Sequence, residues 1–214
     1  TASEQLQQSY EAIDLIDRLV ADEIDWLVVW PDGRQATARK WPNLALLSGA
    51  FNPLHQGHRQ LARVAAQKLQ QEIYFELPLV NADKGPIVET AEVRRRVAQF
   101  AGVAPLILTR LPLFSQKAQL FPKSVFILGV DTVERLTEPR FYHHSSAEMR
   151  AAFDAVAAAG CRFLVAGRQV QGRFITLADI DLLPDYRALF EQIPETEFRV
   201  DISSTVIRQV ADRK

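Results

Sequence analysis

Cysteine is nearly absent: Cys161 is the one thiol among 214 residues. That excludes an internal disulfide framework and makes a reducing cytoplasm the expected compartment. Its neighbours Gly160 and Arg162-Phe163-Leu164-Val165 read as a strand, so the thiol is expected to fill a core rather than to react. Long hydrophobic runs are missing too. None approaches the roughly 18 residues of a membrane span, and no signal-peptide pattern opens the sequence. Nor is there an excess of charge: Lys and Arg total 25 against 26 Asp and Glu, a formal net charge of -1. Nucleic-acid surfaces usually show a basic excess, so neither a nucleic acid nor a membrane is an expected partner. A local positive pocket for a small phosphate ligand is still compatible with this balance. There is no internal repeat, no low-complexity tract, no P-loop and no glycine fingerprint of the dinucleotide-binding kind.

The apolar fraction of 48% and the charged fraction of 24% are ordinary for a globular protein, so disorder of the whole chain is not expected. Residues 3–20 carry Leu6, Tyr10, Ile13, Ile16 and Val20 near helical spacing, which predicts an amphipathic helix. Ile24 to Trp30 reads as a strand, Pro31-Asp32-Gly33 as a turn and Arg34 to Arg39 as a returning strand. Residues 1–42 thus read as an appendage. It either covers the core or offers a surface to a partner or to a second copy in a homo-oligomer. From residue 43 the pattern changes to strands followed by helices. Strands are expected at 44–47, 73–77, 106–108, 125–128, 162–166 and 198–200. Helices are expected at 57–69, 89–100, 146–159 and 203–212. Such alternation predicts an α/β domain with a Rossmann-like parallel sheet flanked by helices, over residues 43–214.

Ligands of open parallel sheets sit beyond the carboxyl ends of the strands. Gly49-Ala50-Phe51-Asn52-Pro53-Leu54-His55-Gln56-Gly57-His58 occupies that place after the first strand of this domain. Gly49 and Gly57 permit close approach of the backbone, and Pro53 stiffens the loop. Gly57-His58 opens the next helix, whose free N–H groups and dipole attract anions. His55 and His58 stand at the same entrance. A zinc site built on these two imidazoles finds no convincing further ligands, and His143-His144 lie far off in a polar loop. A polyphosphate fits better, because strand, glycines, histidines and helix all point to one place.

This segment resembles the signature of the nucleotidylyltransferase superfamily, glycine-x-phenylalanine-aspartate/asparagine-proline-x-histidine-x-glycine-histidine. Gly49-Ala50 departs from the pair the family usually shows before its phenylalanine. Ile202-Ser203-Ser204-Thr205-Val206-Ile207-Arg208 resembles the family's second signature. On its own chemistry, Ser203 is a good N-cap, Ser204 and Thr205 open a helix, and Arg208 falls on the same face. The guanidinium can grip a phosphate in bidentate fashion. Gly129-Val130-Asp131 resembles a third family element near the ribose or second substrate. Asp131 also reads as the start of a capping box with Glu134, and both roles stay open. Lys84 matches a loop where relatives place a substrate-binding lysine, with a solvated surface lysine as the rival. Arg168 follows a strand end within reach of a nucleotide. Arg94, Arg95 and Arg96 read as a helix surface from which one could reach the pocket.

The resemblance covers about residues 44–210 and implies transfer of a nucleotidyl group from a nucleoside triphosphate to a small phosphorylated acceptor, with release of pyrophosphate. It implies catalytic roles for His55, His58 and Arg208. It implies nucleotide contacts at Gly49, Ala50, Phe51, Asn52, Gly57, Gly129, Asp131, Arg168 and Ile202–Thr205, a substrate contact at Lys84, and Mg²⁺ bound through the phosphates. The isoleucine-serine-serine-threonine form favours ATP and a nicotinamide- or nicotinate-mononucleotide-like acceptor. The alternatives are a cytidylyltransferase acting on a phosphorylated alcohol, or an ATP-binding module that no longer transfers. Residues 137–190 match no substrate pocket.

Overall fold

The computed structural model describes residues 14–81, 85–87, 89–170 and 172–199. Eight strands form one sheet. In chain order they are β1 (Trp26–Val29), β2 (Gln35–Ala36), β3 (Ala45–Ser48), β4 (Ile73–Pro78), β7 (Leu106–Thr109), β8 (Val125–Gly129), β9 (Arg162–Ala166) and β12 (Phe190–Ile193). Two small hairpins, β5 (Val80–Asn81) with β6 (Gly85–Pro86) and β10 (Arg168–Val170) with β11 (Arg173–Ile175), lie outside it. The helices are α1 (Leu15–Val20), α2 (Gln56–Leu69), α3 (Thr90–Val97), α4 (Phe114–Leu120), α5 (Val130–Leu136) and α6 (Ser146–Ala158).

The sheet order is β12-β9-β8-β3-β4-β7-β1-β2. The six strands from β12 to β7 run parallel. The chain winds outward from β3 through β4 to β7, then returns to the other side of β3 with β8 and continues to β9 and β12. This is the doubly wound, Rossmann-like arrangement expected from the sequence, and its direction reverses between β3 and β8. The loops after those two strands therefore diverge, leaving a crevice at their carboxyl ends.

Strand side chains alternate between two apolar layers, as a sheet covered on both faces requires. Leu27, Val29, Ala45, Leu47, Phe75, Leu106, Leu108 and Ile127 join the layer under α1, α2 and α3. Trp26, Val28, Leu46, Ile107, Phe126 and Leu128 join the one under α4, α5 and α6. Cys161 is buried in the second layer, 2% exposed, and burial pushes its thiol pKa up.

Helix α1 and the β1–β2 hairpin, in the region expected as an appendage, are continuous with this core; residues 3–13 of the helix expected at 3–20 lie outside the described residues. β1 pairs antiparallel with β7, Trp26 opposite Thr109 and Val29 opposite Leu106. Trp26 is buried against Phe121 and Trp41. Arg94 of α3 holds α1 through Asp14 at 2.5 Å and Asp17 at 2.9 Å.

The structure corrects three expectations. Phe198 and Arg199 form no strand; the last described strand is β12, which pairs with β9 at Phe190 opposite Phe163. Phe198 is buried, which is the apolar signal behind the expectation, but it reaches the core from a turn closed by its N–H on the Pro194 carbonyl. Asp131 caps nothing, because Gly129 is the N-cap of α5 and makes no side-chain cap. The buried Val130 starts that helix two residues earlier than a box at Asp131 requires. Helix α4 and the β10–β11 hairpin had no counterpart among the expected elements. The closing helix at 203–212 lies outside the described residues.

A cluster of polar groups around Glu76 interrupts the core. Glu76, on the central strand β4, is fully buried. It accepts from Thr109 Oγ1 at 2.6 Å and from Lys117 Nζ at 2.8 Å, and Lys117 itself is 2% exposed. A buried pair with both partners present roughly balances its desolvation, whereas removing one partner costs about 3–5 kcal/mol.

Candidate functional site

The loop after β3 lies at the switch point of the sheet. Its conformation is fixed by its own phenylalanine. Phe51 is 1% exposed and packs edge-on against Phe75, Phe100 and His58. To reach that place it adopts φ +44°, a left-handed conformation that costs a non-glycine residue about 1–3 kcal/mol unless its surroundings enforce it. The ring also explains Gly49: a Cβ there would stand 2.8 Å from the Phe51 ring.

Helix α3 supplies the rest of the enforcement. Gln99, in the turn that follows α3, donates to the Phe51 carbonyl at 3.0 Å and accepts from the Leu54 N–H at 2.8 Å. Arg96 donates to the Ala50 carbonyl at 3.1 Å and Arg95 to Asn52 Oδ1 at 2.8 Å. Glu92 holds both arginines, at 2.6 and 2.7 Å, and those guanidiniums draw its pKa down to about 2. The run Arg94-Arg95-Arg96 is thus divided: Arg94 ties α1, while Arg95 and Arg96 both reach the loop. Gln99 carried no motif signal, and its role follows only from the approach of α3.

The loop ends in the first turn of α2. His55 is the N-cap, and its Nδ1 accepts the Gly57 N–H at 3.1 Å. His58 Nδ1 accepts the His55 N–H at 3.3 Å. The two rings stack, centroids 3.7 Å apart. With both Nδ1 atoms accepting, the proton of each neutral ring stands on Nε2, away from the backbone. Burial, then the neighbouring His55, pushes the His58 pKa down to about 3, and burial lowers that of His55 as well. Without a ligand the pair is therefore neutral near pH 7 and still offers N–H donors at a helix start.

That low value has a consequence for stability. The unfolded imidazole titrates near 6.5, so as pH falls the unfolded chain takes up the proton first. The contribution is intact above pH 6.5 and is lost progressively toward pH 3, with a limiting slope of about 1.4 kcal/mol per pH unit. Urea denaturation at pH 7 and pH 5 is expected to show a loss of about 2 kcal/mol from this group. His58→Gln should remove that loss, and equal pH sensitivity in the variant would contradict it.

Across the switch point, Asp131 in the first turn of α5 pairs with Arg168, the first residue of β10, just past the carboxyl end of β9. Gly129 precedes Asp131 at the end of β8. The structure thus brings Gly49, Ala50, Phe51, Asn52, His55, Gly57 and His58 together in one loop and the first turn of α2, with Gly129 at the end of β8, Asp131 in α5 and Arg168 at the start of β10 across the switch point. Lys84, Ile202, Ser203, Ser204, Thr205 and Arg208 lie outside the described residues.

A cavity of about 230 Å³ adjoins the loop, lined by Ser48, Gly49 and Ala50 on one side and by Phe114, Lys117 and Tyr142 on the other. A wider groove of about 860 Å³, lined by Thr37, Arg39, Lys40 and Ala155 among others, shares no residue with the loop. Size alone would favour the groove. The smaller cavity is the one that the motif loop lines.

The model of the cytidylyltransferase-like family matches residues 46–210, from the strand before the loop to beyond Arg208. The chain belongs to this family. Its coarse activity is nucleotidyl transfer. A curated relative from Gloeobacter violaceus, named a probable nicotinate-nucleotide adenylyltransferase, is 27% identical over 183 residues. That alignment covers 78% of this chain and 82% of the relative. Among the described residues of this nucleotidyltransferase, no helix is long and apolar enough to cross a membrane.

Within such an enzyme Gln99 is a positioning residue. Gln99→Leu removes both of its bonds to the loop while keeping its bulk. It is expected to lower kcat about ten- to hundredfold, because small misplacement of catalytic groups is costly. KM for the triphosphate should change little, and Gln99→Glu, which keeps the acceptor half, should recover part of the rate. Steady-state kinetics beside a thermal melt check this, and an equal rise in KM with kcat intact would contradict it.

Proposed function

We propose that this nucleotidyltransferase moves the AMP moiety of ATP onto the phosphate of a nicotinate- or nicotinamide-mononucleotide-like acceptor and releases pyrophosphate. The observation that carries the proposal is the stacked His55–His58 pair, with both Nε2 protons free of the backbone, at the start of α2 and at the switch point of the sheet. An acceptor phosphate oxygen attacks the α-phosphorus in line. The new P–O bond forms as the bond to the β-phosphate bridging oxygen breaks, and pyrophosphate carries away the electron pair. The nucleophile belongs to the acceptor, so the protein supplies position and charge neutralisation.

In this mechanism His55 and His58 donate to α- and β-phosphate oxygens, together with the N–H groups that open α2. Their neutral state suits that role, because they bind without prior protonation and gain strength as charge accumulates on the leaving group. Gly49 and Gly57 let the phosphates approach the backbone. Asp131 and Arg168 face the ribose and phosphate side of the crevice, and their mutual ion pair keeps both poised until a nucleotide arrives. Arg208 and Ser203–Thr205 would hold the β- and γ-phosphates, an assignment that rests on the second motif alone, as the Lys84 assignment rests on its loop. Mg²⁺ would travel with the triphosphate, since this cation usually binds through phosphates and water; among the described residues no group of three His, Cys, Asp or Glu forms a metal cage.

The choice of ATP over CTP is supported by the relative's name and by the form of Ile202–Thr205. The test is a pyrophosphate-release screen that crosses ATP and CTP with nicotinate mononucleotide, nicotinamide mononucleotide and phosphorylated alcohols. Release is expected with ATP and a pyridine mononucleotide. Activity confined to CTP overturns the proposal, and so does ATP binding with no release across the panel.

A further inference from the structure

The buried Glu76–Lys117 pair is unused by the phosphate chemistry, yet it lies where the cavity beside Gly49 and Ala50 ends. Lys117 lines that cavity. Its ammonium has three donors; one is given to Glu76, and Nζ also lies 4.8 Å from the centre of the Phe114 ring. Ser48 lines the same cavity, and its hydroxyl is buried with no hydrogen-bond partner. A buried polar atom left unpaired in a site normally marks where a ligand atom or water belongs. Phe114, Phe141 and Tyr142 supply aromatic walls. Among the described residues no acidic side chain lines the space, whereas Lys117 and Arg135 both do. Glu76 itself is fully engaged below, with one carboxylate oxygen on Thr109 and the other on Lys117. Burial raises the Tyr142 hydroxyl pKa to about 12, so that group too stays a protonated donor.

The volume, about 230 Å³, falls below the roughly 300–1,000 Å³ of sites that enclose a whole drug-sized ligand. It suits one planar ring with a substituent. The rest of the acceptor would extend past Gly49 and Ala50 to the phosphate loop.

We infer that this cavity holds the acceptor's ring, and that Lys117 and Ser48 select a ring bearing an anionic, acceptor-only group such as a carboxylate. The inference rests on the adenylyl-transfer proposal only for the identity of the molecule that carries the ring. An amide in the same position could set its carbonyl oxygen on Lys117 and its NH₂ on Ser48 Oγ, but it would lack the charge pairing with the ammonium that a carboxylate gains. Glu76 holds Lys117 in position through the 2.8 Å contact of its carboxylate with Nζ; it does not touch the ligand.

The test compares binding of nicotinate mononucleotide and nicotinamide mononucleotide by calorimetry, without ATP, and then kcat/KM for each with ATP. The two probes differ in the carboxylate against the amide. Wild type is expected to bind the carboxylate form about ten- to hundredfold more tightly, the range of one charge-assisted hydrogen bond. Glu76→Leu combined with Lys117→Met replaces the pair by apolar groups of similar volume, which buried pairs often tolerate. In that variant the ratio should collapse toward one while ATP affinity is unchanged. Ser48→Ala, a smaller change, should lower the ratio severalfold and covers the case in which the double variant does not fold. Equal binding of the two probes by wild type, no binding of either, or an undiminished ratio in the folded variants overturns the inference. The outcomes also separate the two proposals. Carboxylate-selective binding without transfer keeps the pocket and removes the adenylyl-transfer proposal; transfer that prefers the amide does the reverse.

Discussion

His58→Ala is expected to lower turnover about a hundredfold or more, the usual effect of deleting one preorganised donor to a developing charge. The loss should fall mainly on kcat, because the interaction strengthens as the α–β bond breaks. Part of the loss is indirect. His58 Nδ1 is the acceptor for the His55 N–H, and its ring stacks on His55, so His55 loses its support together with its neighbour. His58→Asn restores an acceptor for that N–H without an equivalent donor at Nε2, and should remain slow. Pyrophosphate release measured for the three proteins checks this, and near-normal turnover in either variant contradicts the assignment.

Phe51→Ala is expected to have the largest effect on stability. Truncating a fully buried phenylalanine costs about 3–5 kcal/mol, and this ring contacts Phe75, Phe100 and His58 at once. For a chain of this length such a loss corresponds to about 10 °C in Tm. Alanine would also have to hold the φ of +44° without the buried ring that enforces it. The ring of the motif's phenylalanine thus anchors the loop from the core side. Thermal denaturation checks the prediction. A melt within about 2–3 °C of wild type, less than about 1 kcal/mol, would show that the loop is held without the ring.

The sequence made the alternation of strands and helices legible from residue 44 onward, because strands buried on both faces read as apolar runs and α2 carries a clean stripe. The phosphate loop was legible for a related reason: glycines, proline and histidines gather between one such run and one such stripe. What sequence could not show was anything decided across the sheet. That Trp26–Val29 pairs with β7 depends on a contact between strands about 80 residues apart. The short edge strand β12 was hidden because Phe190–Ile193 lacks alternation, while the more apolar-looking Phe198 lies in a turn. Gln99 and the pair Arg95 and Arg96 act on the loop from a helix some 45 residues downstream, and nothing local announces it. Glu76 did leave a trace, a carboxylate in the otherwise apolar run Ile73-Tyr74-Phe75-Glu76-Leu77. Its meaning appears only once Lys117, on a helix absent from the expected elements, arrives beside it.

Adenylyl transfer itself is tested most directly by following the α-phosphate. ATP labelled at that phosphate is incubated with the protein, Mg²⁺ and nicotinate mononucleotide, and the label is traced in the products. The account predicts that it appears in a dinucleotide, one equivalent of pyrophosphate accompanying each label transferred. Label that stays in ATP, or that appears only as AMP released to water, would contradict it.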